Sequence, residues 1–152
     1  MQKTYLCIDL KSFYASVECV ELGLDPFEVN LVVADPTRGG GAITLAATPA
    51  IKKLGVSSRG RIFEIDPKIE YMITPPRMHL YMEYSCKVYK VFLEFIAKED
   101  IHVYSIDESF LDVTSYLKLY QVSAKNLAKK ILDRTYKKRV LQRLLGLEPI
   151  CI

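Results

Sequence analysis

The apolar positions of this chain fall into short blocks whose period changes along its length. Lys3–Asp9 is an apolar run closed by an acid and reads as a buried strand. Ser12–Leu22 has apolar residues at helical spacing, with Phe13, Val17 and Val20 on one face and Gly23 as a stop. Pro26 opens a turn, Val29–Ala34 is a second apolar strand, and Asp35–Gly41 has the composition of a loop. Ala42–Ala46 reads as a third strand. Thr48 and Pro49 then start a helix that Gly55 closes; Thr48 suits the cap and Pro49 the first helical position. Arg59–Ile65 is basic and turn-like, and Tyr71–Ile73 is a short strand ended by Pro75 and Pro76. Met78–Ala97 is the longest helix, with Met82, Val88, Val91, Phe92, Phe95 and Ile96 among its apolar positions. Ile101–Ile106 and Phe110–Val113 form a hairpin through Asp107 and Glu108. Ser123–Lys138 is an amphipathic helix carrying Leu127, Ile131 and Leu132.

With Leu10–Pro76 set aside, the order is strand, helix, strand, strand, helix. That is an α+β, ferredoxin-like split unit lacking its last strand. The missing strand would border Lys3–Asp9, and its loss opens a sheet edge to aggregation or strand addition.

Composition narrows the class only a little. Half the residues are hydrophobic and 26% are charged, as in ordinary globular proteins, and 152 residues suit one domain. A net charge of +3 permits nucleic-acid binding without arguing for it. The densest basic stretch, Lys125–Arg143, reads as a solvated helix face. Four cysteines show neither metal spacing nor a disulfide framework, so reduced thiols and a cytoplasmic location are expected. No stretch approaches the roughly 18 apolar residues of a membrane span. Gly39–Gly41 lacks the Lys-Ser/Thr ending of a phosphate cradle and reads as a flexible loop. His79 and His102 have no second ligand at a useful spacing.

The chemistry points to three acids. Asp9 closes the first strand; Asp107 and Glu108 sit between two apolar runs. Each alone reads as an ordinary strand-end or turn acid. Acids at the ends of adjacent strands can converge, and carboxylates that converge repel unless a cation lies between them. Hard oxygen ligands of this kind suit Mg²⁺ shared with substrate phosphates. Two such ions can clamp an in-line nucleotidyl transfer.

These residues, in this order, resemble the Y-family translesion DNA polymerases of the UmuC/DinB type. Cys7-Ile8-Asp9-Leu10-Lys11-Ser12-Phe13-Tyr14-Ala15-Ser16-Val17-Glu18 is similar to that family's opening motif, and Tyr104–Thr114 to its second metal motif. The resemblance runs from Lys3 to about Lys138. It implies a catalytic palm from 1–10 and 77–138, incomplete and lacking its last strand, with a small fingers insertion over 11–76. It implies that Asp9, Asp107 and Glu108 hold two Mg²⁺ ions, with the Leu10 carbonyl as a further ligand. Tyr14 would be the steric gate under the incoming sugar, so that deoxynucleotides are preferred. Ser12 and Phe13 would lie beside the triphosphate. Where the family places a Tyr and an Arg on the triphosphate, this chain has Pro49 and Lys52; Lys52 supplies charge as a point, not as a planar fork. The implied partners are primer–template DNA and deoxynucleoside triphosphates, with a sliding clamp for the full-length form only.

The family's thumb and little finger have no counterpart here, and Arg139–Ile152 does not resemble the expected next strand. One permitted back-translation of that tail, with a single A placed in front, reads Thr-Gly-Ile-Thr-Ala-Thr-Ala-Gly-Ile-Gly, which is that strand. AAA codons at Lys137 and Lys138 would make a slip site. The tail is therefore expected to be frameshifted. A polymerase fragment is the leading expectation, and a non-catalytic remnant or interaction module the alternative. A nucleotidyl cyclase fits less well, because the opening motif from Asp9 to Ala15 is foreign to it.

Overall fold

The computed structural model describes residues 2–137 and 150–151, and these separate into two units. One unit comprises Met1–Lys11 and Met82–Ile152, the other Ser12–Tyr81.

In the first unit the apolar run at the N-terminus becomes β1 (Tyr5–Asp9), whose Leu6, Cys7 and Ile8 are buried. It pairs antiparallel with β6 (Glu108–Asp112), and β6 pairs antiparallel with β5 (Ile101–Val103). Side chains alternate along β6: Ser109 and Leu111 are buried, and Phe110 between them is half-buried. Leu111 lies opposite Leu6, and Ser109 opposite Ile8. Val88, Val91 and Phe92 on α3 (Met78–Phe92) are also buried, a stripe at helical spacing. So are Leu127, Ala128, Ile131 and Leu132 on α5 (Ala124–Lys137), while its Lys125, Lys129 and Lys130 are exposed.

The sheet order is β5-β6-β1-β7, all antiparallel, the order of a ferredoxin-like sheet. The last place is taken by a strand of two residues, β7 (Ile150–Cys151), opposite Cys7 and Leu6. The rest of the tail expected to be frameshifted lies outside the described residues.

The second unit is built on a three-stranded sheet of order β3-β2-β4. All three residues of β2 (Leu31–Val33) are buried at its centre. β3 (Ala46–Ala47) runs antiparallel to β2 and β4 (Met72–Thr74) parallel to it. Helix α1 (Phe13–Glu21) packs on β2 and β3. A core of Val32, Ala47, Ile51 and Ile65 forms beneath, with Val56, Ile62, Ile69 and Tyr71 against it.

Several expected boundaries move, each for a local reason. Helix α3 ends at Phe92, not Ala97, because the next turn tightens: the amides of both Phe95 and Ile96 donate to the Phe92 carbonyl. Met82 is 52% exposed, off the buried stripe of its helix. β5 stops at Val103 because the amides of Tyr104 and Ser105 both turn back to the Glu108 carbonyl. Helix α4 (Thr114–Leu119) was not expected; Asp112 starts it by accepting from the amide and hydroxyl of Thr114. The expected loop at 35–41 winds into 3₁₀ turns over Pro36–Gly41, started by Asp35 and kinked at Gly39, whose φ of 56° suits glycine. The third strand is confined to Ala46–Ala47, with Ile43 making a single bridge to Arg61. Helix α2 (Pro49–Lys52) does begin with Pro49, but Thr48 does not cap it with its side chain. Its buried hydroxyl is bound to the β2 side instead, donating to the Val29 carbonyl at 2.7 Å and accepting from the Leu31 amide.

Candidate active site

The end of the β1–β6 ladder brings two of the three acids face to face. Asp9 is the last residue of β1, Glu108 the first of β6, and they are direct cross-strand partners. Like charges at one ladder position oppose each other. Asp107 is the preceding residue, in the turn. Its carbonyl accepts from the Leu10 amide at 2.8 Å, which ties the turn to the end of β1. The Ser85 hydroxyl on α3 donates to the Ile106 carbonyl and holds the same turn from the helix side.

The carboxylate of Asp107 accepts from the Ser105 hydroxyl at 2.8 Å. The Cys7 thiol, two residues before Asp9 and on its side of the strand, donates to Glu108 Oε1 at 3.6 Å. Burial, then Glu108 and Asp9, push that thiol above its ordinary pKa. Among the described residues, no three His, Cys, Asp or Glu side chains stand together as a ready metal site. The donors are nonetheless all oxygen and two of them are paired, which fits Mg²⁺ by ligand chemistry.

The expected nucleotide-side residues lie in the second unit. Ser12 has φ 55° and ψ 27°, a left-handed conformation uncommon for a residue with a Cβ, and its carbonyl accepts the Ser16 amide as α1 begins. Phe13 is buried. Tyr14 is half-buried and stacks on Tyr81, ring centroids 4.5 Å apart and planes within 11° of parallel. Lys52 is the last residue of α2 and is half-buried.

The pattern of apolar positions overlooked Glu18. It is 2% exposed, and its carboxylate accepts from Arg77 through Nε and Nη2 and from the Tyr81 hydroxyl at 2.7 Å. Burial, then the Glu18 bond, raises the Tyr81 pKa; the Glu18 bond raises that of Arg77. The available signal was an acid one helical turn after Tyr14, inside a helix with little other polar surface.

A four-stranded antiparallel sheet with acids at one end, joined to a small second unit, is the palm and fingers arrangement of Y-family DNA polymerases. Solved structures agree. DinB from Sulfolobus solfataricus superposes with a TM-score of 0.73 at 25% identity, over 98% of this chain and 42% of that one. An insertion ternary complex of Dbh DNA polymerase gives 0.72 at 24% identity, over 97% of this chain and 41% of that one. The model of the impB/mucB/samB family matches residues 8–147, and the chain belongs to that family.

Among relatives in Bacillus subtilis strain 168, UvrX, named for UV-damage repair, is 46% identical over 73% of this chain and 27% of its own length. DNA polymerase IV 2 is 33% identical over 97% of this chain and 35% of its own length. The DNA repair protein homolog YozK is 42% identical over 70% of this chain and 93% of its own length. The chain thus spans about a third or less of the two longer relatives.

Proposed function

We propose that this chain carries the nucleotide-joining centre of a DNA-directed DNA polymerase of the translesion and repair type. The observation that carries the reading is the facing of Asp9 and Glu108 across the β1–β6 ladder, beside the anchored Asp107 turn. Asp9, Asp107, Glu108 and the Leu10 carbonyl would hold two Mg²⁺; bound there, such ions stabilise the attacking and leaving oxygens of an in-line displacement.

The chain's own residues supply the rest. The Leu10 amide and the Ser85 hydroxyl fix the turn that presents Asp107 and Glu108. The Tyr14 ring excludes a 2′-hydroxyl and so selects deoxynucleoside triphosphates. Ser12 and Phe13 flank the triphosphate, and Lys52 offers it a point charge. Primer–template DNA is the partner, and the full-length form alone would meet a sliding clamp. Cys7, Cys19 and Cys86 are free thiols, and no helix among the described residues is long and apolar enough to cross a membrane. Both fit the cytoplasmic location we propose.

A second reading rests on a different observation. YozK is matched over 93% of its length, so a relative of about this span exists. A non-catalytic remnant or interaction module of this span is the alternative reading.

Mg²⁺-dependent primer extension separates the two. The 152-residue chain is assayed beside a version with one base restored before Arg139 and translation continued. Extension by both, lost on Asp107→Ala, supports a working centre in the short chain. Extension by the restored version alone supports the remnant. Extension by neither overturns the polymerase reading.

A further inference from the structure

Buried Glu18 and Tyr81, with the exposed Arg77 reaching in to the Glu18 carboxylate, form a cluster that the proposed chemistry does not use, and its Tyr81 stacks on Tyr14. Two pairs at helical spacing interlock. Tyr14 and Glu18 share one face of α1, four residues apart; Arg77 and Tyr81 are likewise four apart, and the Arg77 carbonyl accepts the Tyr81 amide at 3.2 Å. The Glu18 carboxylate accepts from Nε and Nη2 of Arg77 and from the Tyr81 hydroxyl. A charge this deep needs such partners, and the planar Arg fork fixes the carboxylate plane. The Tyr81 ring, fully buried, is then pinned at its hydroxyl end and offers a fixed flat face to Tyr14.

We infer that Tyr81, pinned by the Glu18–Arg77 pair, is a positioning residue that sets the plane of the Tyr14 ring and thereby the sharpness of sugar discrimination. The discrimination half rests on the steric-gate reading of Tyr14; the positioning half does not. An aromatic face stack restrains its partner beyond simple burial, so the effect should exceed that of a space-filling side chain.

The test is made on the 152-residue chain with ring-labelled tyrosine, and the Tyr14 signal is identified by its loss in Tyr14→Phe. In the native chain the Tyr14 ring protons should be shifted by the Tyr81 face. Tyr81→Leu should abolish that shift. Tyr81→Phe, which keeps the ring but loses the bond to Glu18, should reduce it, and Glu18→Gln should do the same. Tyr116, in the other unit, should keep its signals throughout. Where Glu18→Gln does not fold, Tyr81→Phe carries the test. Unchanged Tyr14 signals in Tyr81→Phe overturn the positioning.

Titration of the same proteins with dATP and ATP in Mg²⁺ tests discrimination. The deoxy-over-ribo preference should fall about fivefold in Tyr81→Leu, the scale of one aromatic pair, and by a smaller factor in Tyr81→Phe. A native preference that Tyr81→Phe leaves intact overturns the discrimination claim. No native preference, with ring signals that respond to Tyr81→Phe, sinks the gate reading and leaves the positioning standing.

Discussion

Single carboxylates do different work in this chain according to what they face. Asp112 accepts from the Thr114 amide at 3.1 Å and the Thr114 hydroxyl at 2.6 Å, with Lys3 at 3.6 Å. The Thr114 hydroxyl first, then the Thr114 amide, hold its pKa below the ordinary carboxylate range, and Lys3 adds to this. A depressed folded pKa means that the stabilisation is complete above the unfolded value of about 3.9 and is lost as pH falls through the folded one. Asp112→Asn keeps an acceptor for Thr114 and removes only the charge, so it should cost about 0.5 kcal/mol at pH 7. The gap between variant and native chain should close as pH falls below about 4, where the native carboxylate is protonated too. Urea unfolding of both proteins across that range checks the size and the sign. Asp9 and Glu108 instead face each other across one ladder position, where like charges oppose.

At the scale of elements, packing decides which residues matter. Leu111 is fully buried in β6, opposite Leu6, whereas Leu119 at the end of α4 is 71% exposed. Leu111→Ala should destabilise the first unit by about 2–5 kcal/mol. Leu119→Ala should stay within about 0.5 kcal/mol. Thermal unfolding of the two variants side by side would check the contrast. The same logic explains what could be read in advance. β1, α1 and α5 were legible because their apolar runs or stripes coincide with the faces they bury. Asp9 and Glu108 were legible as strand-end acids because each bounds an apolar run, and the ladder sets them opposite each other; their reading as a site came from the family resemblance, not from the pattern. The end of α3, the whole of α4 and the confinement of β3 to Ala46–Ala47 were not. They depend on backbone bonds such as Ile96 to Phe92 and on local side-chain bonds such as Thr114 to Asp112, which carry no period. Glu18 was hidden for a related reason. Its partners Arg77 and Tyr81 lie some sixty residues away in sequence, and only the fold brings them to it.

For the molecule as a whole, the consequential feature is the outer edge of β1. On one side β1 is paired along its full length, from Tyr5 opposite Asp112 to Asp9 opposite Glu108. On the other side, among the described residues, it is paired only at Leu6 and Cys7, by Ile150–Cys151. In a ferredoxin-like sheet the last strand belongs there. Where a sheet edge is left with unpaired amides and carbonyls it recruits another strand, and a second copy of the chain is the nearest source. If the last strand is cut short to Ile150–Cys151, the 152-residue chain should self-associate as its concentration rises. On the frameshift reading of the tail, one base restored before Arg139 would supply the family's next strand, and that strand should close the edge. Tyr5 is 38% exposed, and a lysine there would place a charge beside the edge. Tyr5→Lys in the short chain should suppress self-association without touching the acids at the far end of the strand. Sedimentation velocity over a concentration series distinguishes the three proteins. A short chain that stays monomeric throughout would mean that the edge is already covered, and the case for a lost strand would go with it.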